Sequence, residues 1–91
     1  MKKLAIVTGA NKGLGLSVAQ KLVHNNYKVI LACRDKTKGQ QAEKFLGEET
    51  TFIELDLSNP TSIDNFSNEI SQSYSGVDVL YNNAGLIYQD F

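Results

Sequence analysis

The chain alternates short apolar runs with longer stretches in which apolar residues recur at helical spacing. Four of the runs are β-rich: Leu4 to Val7, Lys28 to Ala32, Thr51 to Leu55, and Val77 to Tyr81. Runs this brief, bounded by turn-forming residues, have the length and composition of buried strands. Leu14, Val18 and Leu22, with Ala19 and Val23, form a stripe at i, i+4 spacing and predict a first helix. Ala42, Phe45 and Leu46 mark a second, shorter helix that begins near Asp35, placed to cap it. Ile63, Phe66, Ile70 and Tyr74 mark a third, with Asn59 as N-cap and Pro60 at the first helical position. Asn25-Asn26, Gly47 and Gly76 supply the stops.

The order is β-α-β-α-β-α-β, with no linker, repeat or low-complexity segment. Strands that alternate with helices pair in parallel, because parallel neighbours need a crossover, and such crossovers are right-handed. The expected fold is α/β, a parallel sheet with strand order 3-2-1-4. Helices one and two then lie on one face and helix three on the other. The winding reverses between strands 1 and 4, and ligands bind in the crevice at such a switch point.

The first run leads straight into Thr8-Gly9-Ala10-Asn11-Lys12-Gly13-Leu14-Gly15. A buried strand entering glycines and then an amphipathic helix brings backbone N–H groups against a pyrophosphate, aided by the helix dipole. The glycines allow the tight turn, the approach of phosphate to backbone, and close packing of helix on strand. The spacing is G-x-x-x-G-x-G rather than G-x-G-x-x-G. A second turn, Asn82-Asn83-Ala84-Gly85, leaves the carboxyl end of the fourth strand. Both features converge on the same crevice.

Composition narrows the field. At 91 residues the chain is one small domain at most, and 42% hydrophobic residues argue against disorder. A net charge of −1 offers no field to nucleic acid or an anionic membrane. Lys2, Lys3, Lys36 and Lys38 read most simply as solvated surface charges. Cys33 is the sole cysteine, so an internal disulfide and a zinc ligand set are excluded, and a reducing compartment fits. The apolar run after Met1-Lys2-Lys3 ends after four residues at Thr8-Gly9, too short for a signal peptide. No run reaches membrane-spanning length, so a cytoplasmic protein is expected.

With these residues in hand, the chain resembles the short-chain dehydrogenase/reductase family, and within it the carbonyl-reductase-like members. The resemblance rests on Thr8-Gly9-x-x-x-Gly13-x-Gly15, on Ala32-Cys33-Arg34-Asp35, on Asp56-Leu57, and on Asn82-Asn83-Ala84-Gly85. It covers essentially the whole chain, but only the cofactor-binding front of the family's Rossmann-type fold. The resemblance implies that the glycine turn, from Gly9 through Asn11, Lys12, Gly13 and Leu14 to Gly15, holds a pyrophosphate. It implies that Asp56 and Leu57 meet the adenine, and that Asn83, Ala84 and Gly85 line the nicotinamide-side ribose. Taken alone, Asp56 reads as a cap or turn residue before Asn59-Pro60, and the asparagines read as turn formers that brace the strand.

The cofactor expected is NADP. NAD sites place an acid at the end of the second strand, whereas NADP sites offer arginine or lysine to the 2′-phosphate. Here that position is Cys33, small and neutral, followed by Arg34, with Lys12 before Gly13. Each hydrogen bond to a charged group is worth roughly 1.5–3 kcal/mol, so two such contacts set the preference. Asp35 lies near the NAD-type position but reads as the cap of helix two. Alone, Arg34 reads as a salt-bridge partner and Lys12 as a solvated loop charge.

The family's acid–base chemistry uses a tyrosine with a lysine four residues later, plus a serine. Tyr27, Tyr74 and Tyr81 are followed at that distance by Leu31, Asp78 and Gly85, and for Tyr88 the position lies past Phe91. No catalytic residue is therefore assigned. His24 reads as a cation at a helix C-terminus. A sheet stopping at strand 4 leaves an open edge for self-association or a second polypeptide. Three readings follow: the NADP-binding part of a carbonyl reductase without its own reaction centre, a non-catalytic nucleotide- or partner-binding module, or an inactive truncated gene product.

Overall fold

The computed structural model describes residues 2–83. Its elements are β1 (Lys3–Thr8), α1 (Gly13–His24), β2 (Tyr27–Cys33), α2 (Lys36–Leu46), β3 (Thr50–Glu54), α3 (Pro60–Ser73) and β4 (Val79–Asn82). The strands form one parallel sheet in the order β3-β2-β1-β4. In register, Thr8 stands between Ala32 and Asn82, so the carboxyl ends of β2, β1 and β4 meet at one level.

Alternation along the strands sorts the apolar residues onto two faces. Val7, Val29 and Leu31 pack with Ala19 and Ala42, flanked by Leu16, Leu22 and Leu46 of α1 and α2. Leu4, Ile6, Ile30, Ala32, Ile53 and Leu55 form the other core, against which Phe66, Ile70 and Tyr74 pack. The helices thus divide between the faces as the winding predicts. The first face is the tighter one. Gly39 faces Phe52 so closely that a Cβ there would enter the aromatic ring, which explains a glycine inside α2.

Asp35 caps α2 by accepting from the Lys38 N–H at 3.0 Å, and Asn59 caps α3 by accepting from Thr61 and Ser62. Some expected positions shift. Phe45 is 69% exposed, because Gly39, Ala42 and Leu46 define the face of α2 that meets the sheet. Leu14 is 62% exposed, since the first turn of α1 projects past the sheet to the ligand-facing end. The third helix closes at Ser73, with Tyr74 in extended backbone and its N–H on Ile70 O, so Gly76 is not the stop. The fourth strand starts at Val79, two residues late. Asp78 precedes it and clamps β1 doubly: its N–H donates to Leu4 O, and its carboxylate accepts from Leu4 N–H, both at 2.8 Å.

Candidate functional site

At the carboxyl end of the sheet an open crevice of about 880 Å³ lies between the glycine turn, the end of β2 and the loop after β3. Its size is that of an ordinary small-molecule site. The turn folds as its glycines require. Gly9 and Gly13 have φ of 62° and 57°, the left-handed region that favours glycine. Gly9 N–H is tied to Ala32 O at 2.8 Å, which holds the turn against β2. Gly15 is buried behind the crevice wall; a Cβ there would collide with the Gly9 carbonyl and stand 2.8 Å from the Asn83 amide. Nothing lies within 4 Å of a Cβ on Gly13.

This turn delivers a helix start unlike the other two. Lys12 occupies the N-cap position of α1 and makes no side-chain capping bond, whereas α2 and α3 are capped by Asp35 and Asn59. Unsatisfied N–H groups at a helix start, with the positive end of the dipole behind them, attract an anion.

Thr8 locks the two rims of the crevice together. Its hydroxyl donates to Asn82 Oδ1 at 2.8 Å and accepts from the Asn83 N–H at 2.9 Å. Asn83 reaches back through its side-chain amide to the Gly9 carbonyl at 3.5 Å. Asn83 therefore both braces the turn and lines the crevice. Ala84 and Gly85, the rest of the expected ribose-side turn, lie outside the described residues.

Asn11, Lys12, Gly13, Leu14, Arg34, Asp56 and Leu57 all line the crevice, as does Gly9. Several lining residues lie outside the set expected from sequence, among them Thr8, Ser58 and Lys38, the last an exposed lysine that also borders the crevice. The first turn of α2 carries it there, and its spacing of four from Arg34 was the available signal. Lys2, grouped with it as a surface charge, instead meets Glu49 at 3.6 Å. Asp35, the competing acid, is committed to capping α2, as expected. Cys33 ends β2 in the crevice wall, its thiol donating to Asp35 O at 3.5 Å. Burial holds that thiol above its usual pKa; its bond to the Asp35 carbonyl works against this, and the charges of Asp35 and Glu54 add to it, favouring the neutral thiol.

Asp56 is indeed a turn residue, and it also faces the crevice. Its Oδ1 accepts from Ser58 N–H at 3.0 Å and Ser58 Oγ at 2.7 Å, and its own N–H donates to Ser62 Oγ at 2.9 Å. The Ser58 hydroxyl, then the Ser58 amide, and to a lesser extent the charge of Arg34, hold its carboxyl below the usual aspartate range. The site thus combines uncapped amides, three cations and two aspartates, Asp35 at the cap of α2 and Asp56. Among the described residues no group of three or more histidine, cysteine or acidic side chains is placed to hold a metal, and no helix is long and apolar enough to cross a membrane.

Comparison with known proteins identifies the family to which this fold belongs. The profile of the family described as short chain dehydrogenase matches residues 3–91. Mouse "Carbonyl reductase [NADPH] 1" is 39% identical over 92 residues, covering 97% of this chain and 33% of the relative. The structure of menthone neomenthol reductase from Mentha piperita superposes with a TM-score of 0.84 at 34% identity, over 94% of this chain and 32% of that one. An actinorhodin polyketide ketoreductase solved with NADPH gives a TM-score of 0.85 at 31% identity, over 93% and 34%. The chain spans about a third of the length of the curated relatives it matches. A family profile covering nearly every residue, on a sheet of the same order, makes this chain a member of the short-chain dehydrogenase/reductase family, similar within it to carbonyl reductases.

Proposed function

We propose that residues 1–91 form the NADP(H)-binding half of a short-chain oxidoreductase that reduces a carbonyl compound. The observation that carries this reading is the uncapped start of α1 with Lys12, Arg34 and Lys38 around the same crevice. The bound cofactor supplies the hydride. The amides of the glycine turn hold its pyrophosphate, with Gly15 shaping the turn from behind and Leu14 covering it. The three cations take the 2′-phosphate, for which neutral Cys33 leaves room. Asp56 and Leu57 meet the adenine, and the turn beginning at Asn83 and continuing through Ala84 and Gly85 meets the nicotinamide-side ribose.

The naming of NADPH in the mouse relative and in the ketoreductase structure supports the choice of cofactor. The sequence contains no tyrosine followed four residues later by lysine, so in this reading the reaction centre lies outside these residues. The outer side of β4, the last strand of the sheet among the described residues, is where further polypeptide or a second copy joins. The setting that fits is a reducing, cytoplasmic one.

Thermal-shift titration of the purified chain with NADPH and NADH tests the proposal. A ligand that binds only the folded form stabilises it by about 2.7 kcal/mol at a hundredfold excess over Kd. NADPH is expected to raise Tm at lower concentration than NADH, and Arg34→Ala to narrow the gap. No shift with either cofactor at saturation overturns the proposal. A lower requirement for NADH overturns the choice of NADP.

A further inference from the structure

We propose that Ser58 is a positioning residue that fixes the Asp56 carboxylate so that its second oxygen receives the 6-amino group of the adenine. This rests on the reading of the crevice as a dinucleotide site. An ionised carboxylate is acceptor-only, with two oxygens to satisfy. Ser58 occupies Oδ1 twice, through its amide at 3.0 Å and its hydroxyl at 2.7 Å. Among the described residues Oδ2 has no donor, and both Asp56 and Ser58 line the crevice. Ser62 pins the Asp56 backbone from the first turn of α3.

The turn itself needs only the amide bond, which any residue at position 58 other than proline supplies. The hydroxyl is a second donor to the same oxygen, on a side chain that is exposed and fills no core. Its effect is to stop the carboxylate from rotating and to keep it ionised. Adenine offers a donor at its 6-position; hypoxanthine presents a carbonyl acceptor there. A carboxylate locked in place therefore discriminates between the two bases, and a carboxylate free to turn away does so less.

The experiment titrates the full chain with NADPH and with its hypoxanthine analogue, following nicotinamide fluorescence. Wild type, Ser58→Ala, Ser58→Thr and Asp56→Asn are compared. Wild type is expected to favour adenine by about tenfold, the scale of one hydrogen bond to a charged group. Ser58→Ala is expected to bring that ratio to about threefold or less, since the remaining amide bond leaves the carboxylate room to turn. The ligand-free Tm stays where it was, Ser58→Thr restores the ratio, and Asp56→Asn abolishes it. An unchanged ratio in Ser58→Ala overturns the assignment, as does an equal loss for both ligands together with a lowered Tm. A wild type that binds both ligands equally overturns it too, while leaving the dinucleotide site standing. Only a wild type that binds neither brings down the parent reading as well.

Discussion

All three helices follow strands that end at the same side of the sheet, yet they begin differently. The first turns of α2 and α3 are satisfied by their own Asp35 and Asn59, whereas α1 starts at Lys12 with no side-chain cap. The capped starts are complete within the protein. The uncapped one sits where glycines bring the backbone to the crevice surface and where the cations gather. The difference separates residues that build the fold from residues that leave a valence open for a ligand. A cap is worth about 1 kcal/mol to the helix it closes. Its absence at α1 is consistent with an anion taking that role.

The largest effect that breaks the contrast is expected at Gly15. A helical glycine is ordinarily improved by a larger residue, by up to about 1 kcal/mol for alanine. Here the Gly9 carbonyl occupies the space, so Gly15→Val should cost about 3 kcal/mol by overpacking and abolish NADPH binding. Urea denaturation measures the first and fluorescence titration the second; a stable variant with intact binding removes the turn from the site.

Thr8→Val comes next. It keeps the shape but leaves the Asn83 N–H without its acceptor, at a cost of about 2 kcal/mol. Since the same hydroxyl ties β1 to β4, NADPH affinity should fall with stability. Affinity retained in a destabilised variant would show that the latch serves the fold alone.

Lys12→Ser sharpens the comparison most directly, because it offers α1 the cap that the other helices have. The expected result is a gain of about 1 kcal/mol in ligand-free stability and a roughly tenfold loss in NADPH affinity. Loss of stability instead would mean that the N-terminal amides are not what the site leaves open. The counterpart is Asn59→Ala, which should lose about 1 kcal/mol with NADPH affinity unchanged. If affinity falls equally there, the two kinds of helix start are not distinct.

The smallest effect concerns Cys33 in the crevice wall. Its folded pKa is raised, so the stability it contributes is present below the unfolded value, roughly 8.5, and is lost as pH rises through the folded one. Iodoacetamide should therefore label it much more slowly than a free thiol at pH 8, and NADPH should slow the reaction further. Fast labelling of the folded chain at pH 8 contradicts a buried, inert wall.

Much of this was legible along the chain, for identifiable reasons. The four β-rich runs were legible because each is short, apolar and bounded by turn-forming residues. Asp35 and Asn59 were legible because capping is a local transaction among residues two or three apart. Gly9, Gly13 and Gly15 announced a turn because their spacing follows a strand. What escaped depended on rotation and on distance in sequence. The pattern around Ala42 does not say how α2 is turned, so Phe45 counts inward by spacing yet is exposed, and Lys38, exposed as expected, reaches the crevice rim by a rotation the sequence does not give.

The local order of side chains, then, determined the elements, their parallel pairing, their caps and the glycine turn, because each depends on neighbours a few positions away. Folding alone decided that the Thr8 hydroxyl would meet Asn82 and Asn83, that Asp78 would clamp Leu4, and that Lys38 would join Lys12 and Arg34. Those contacts join residues far apart on the chain or on faces whose rotation only packing fixes. Their geometry exists only once the sheet has closed its register.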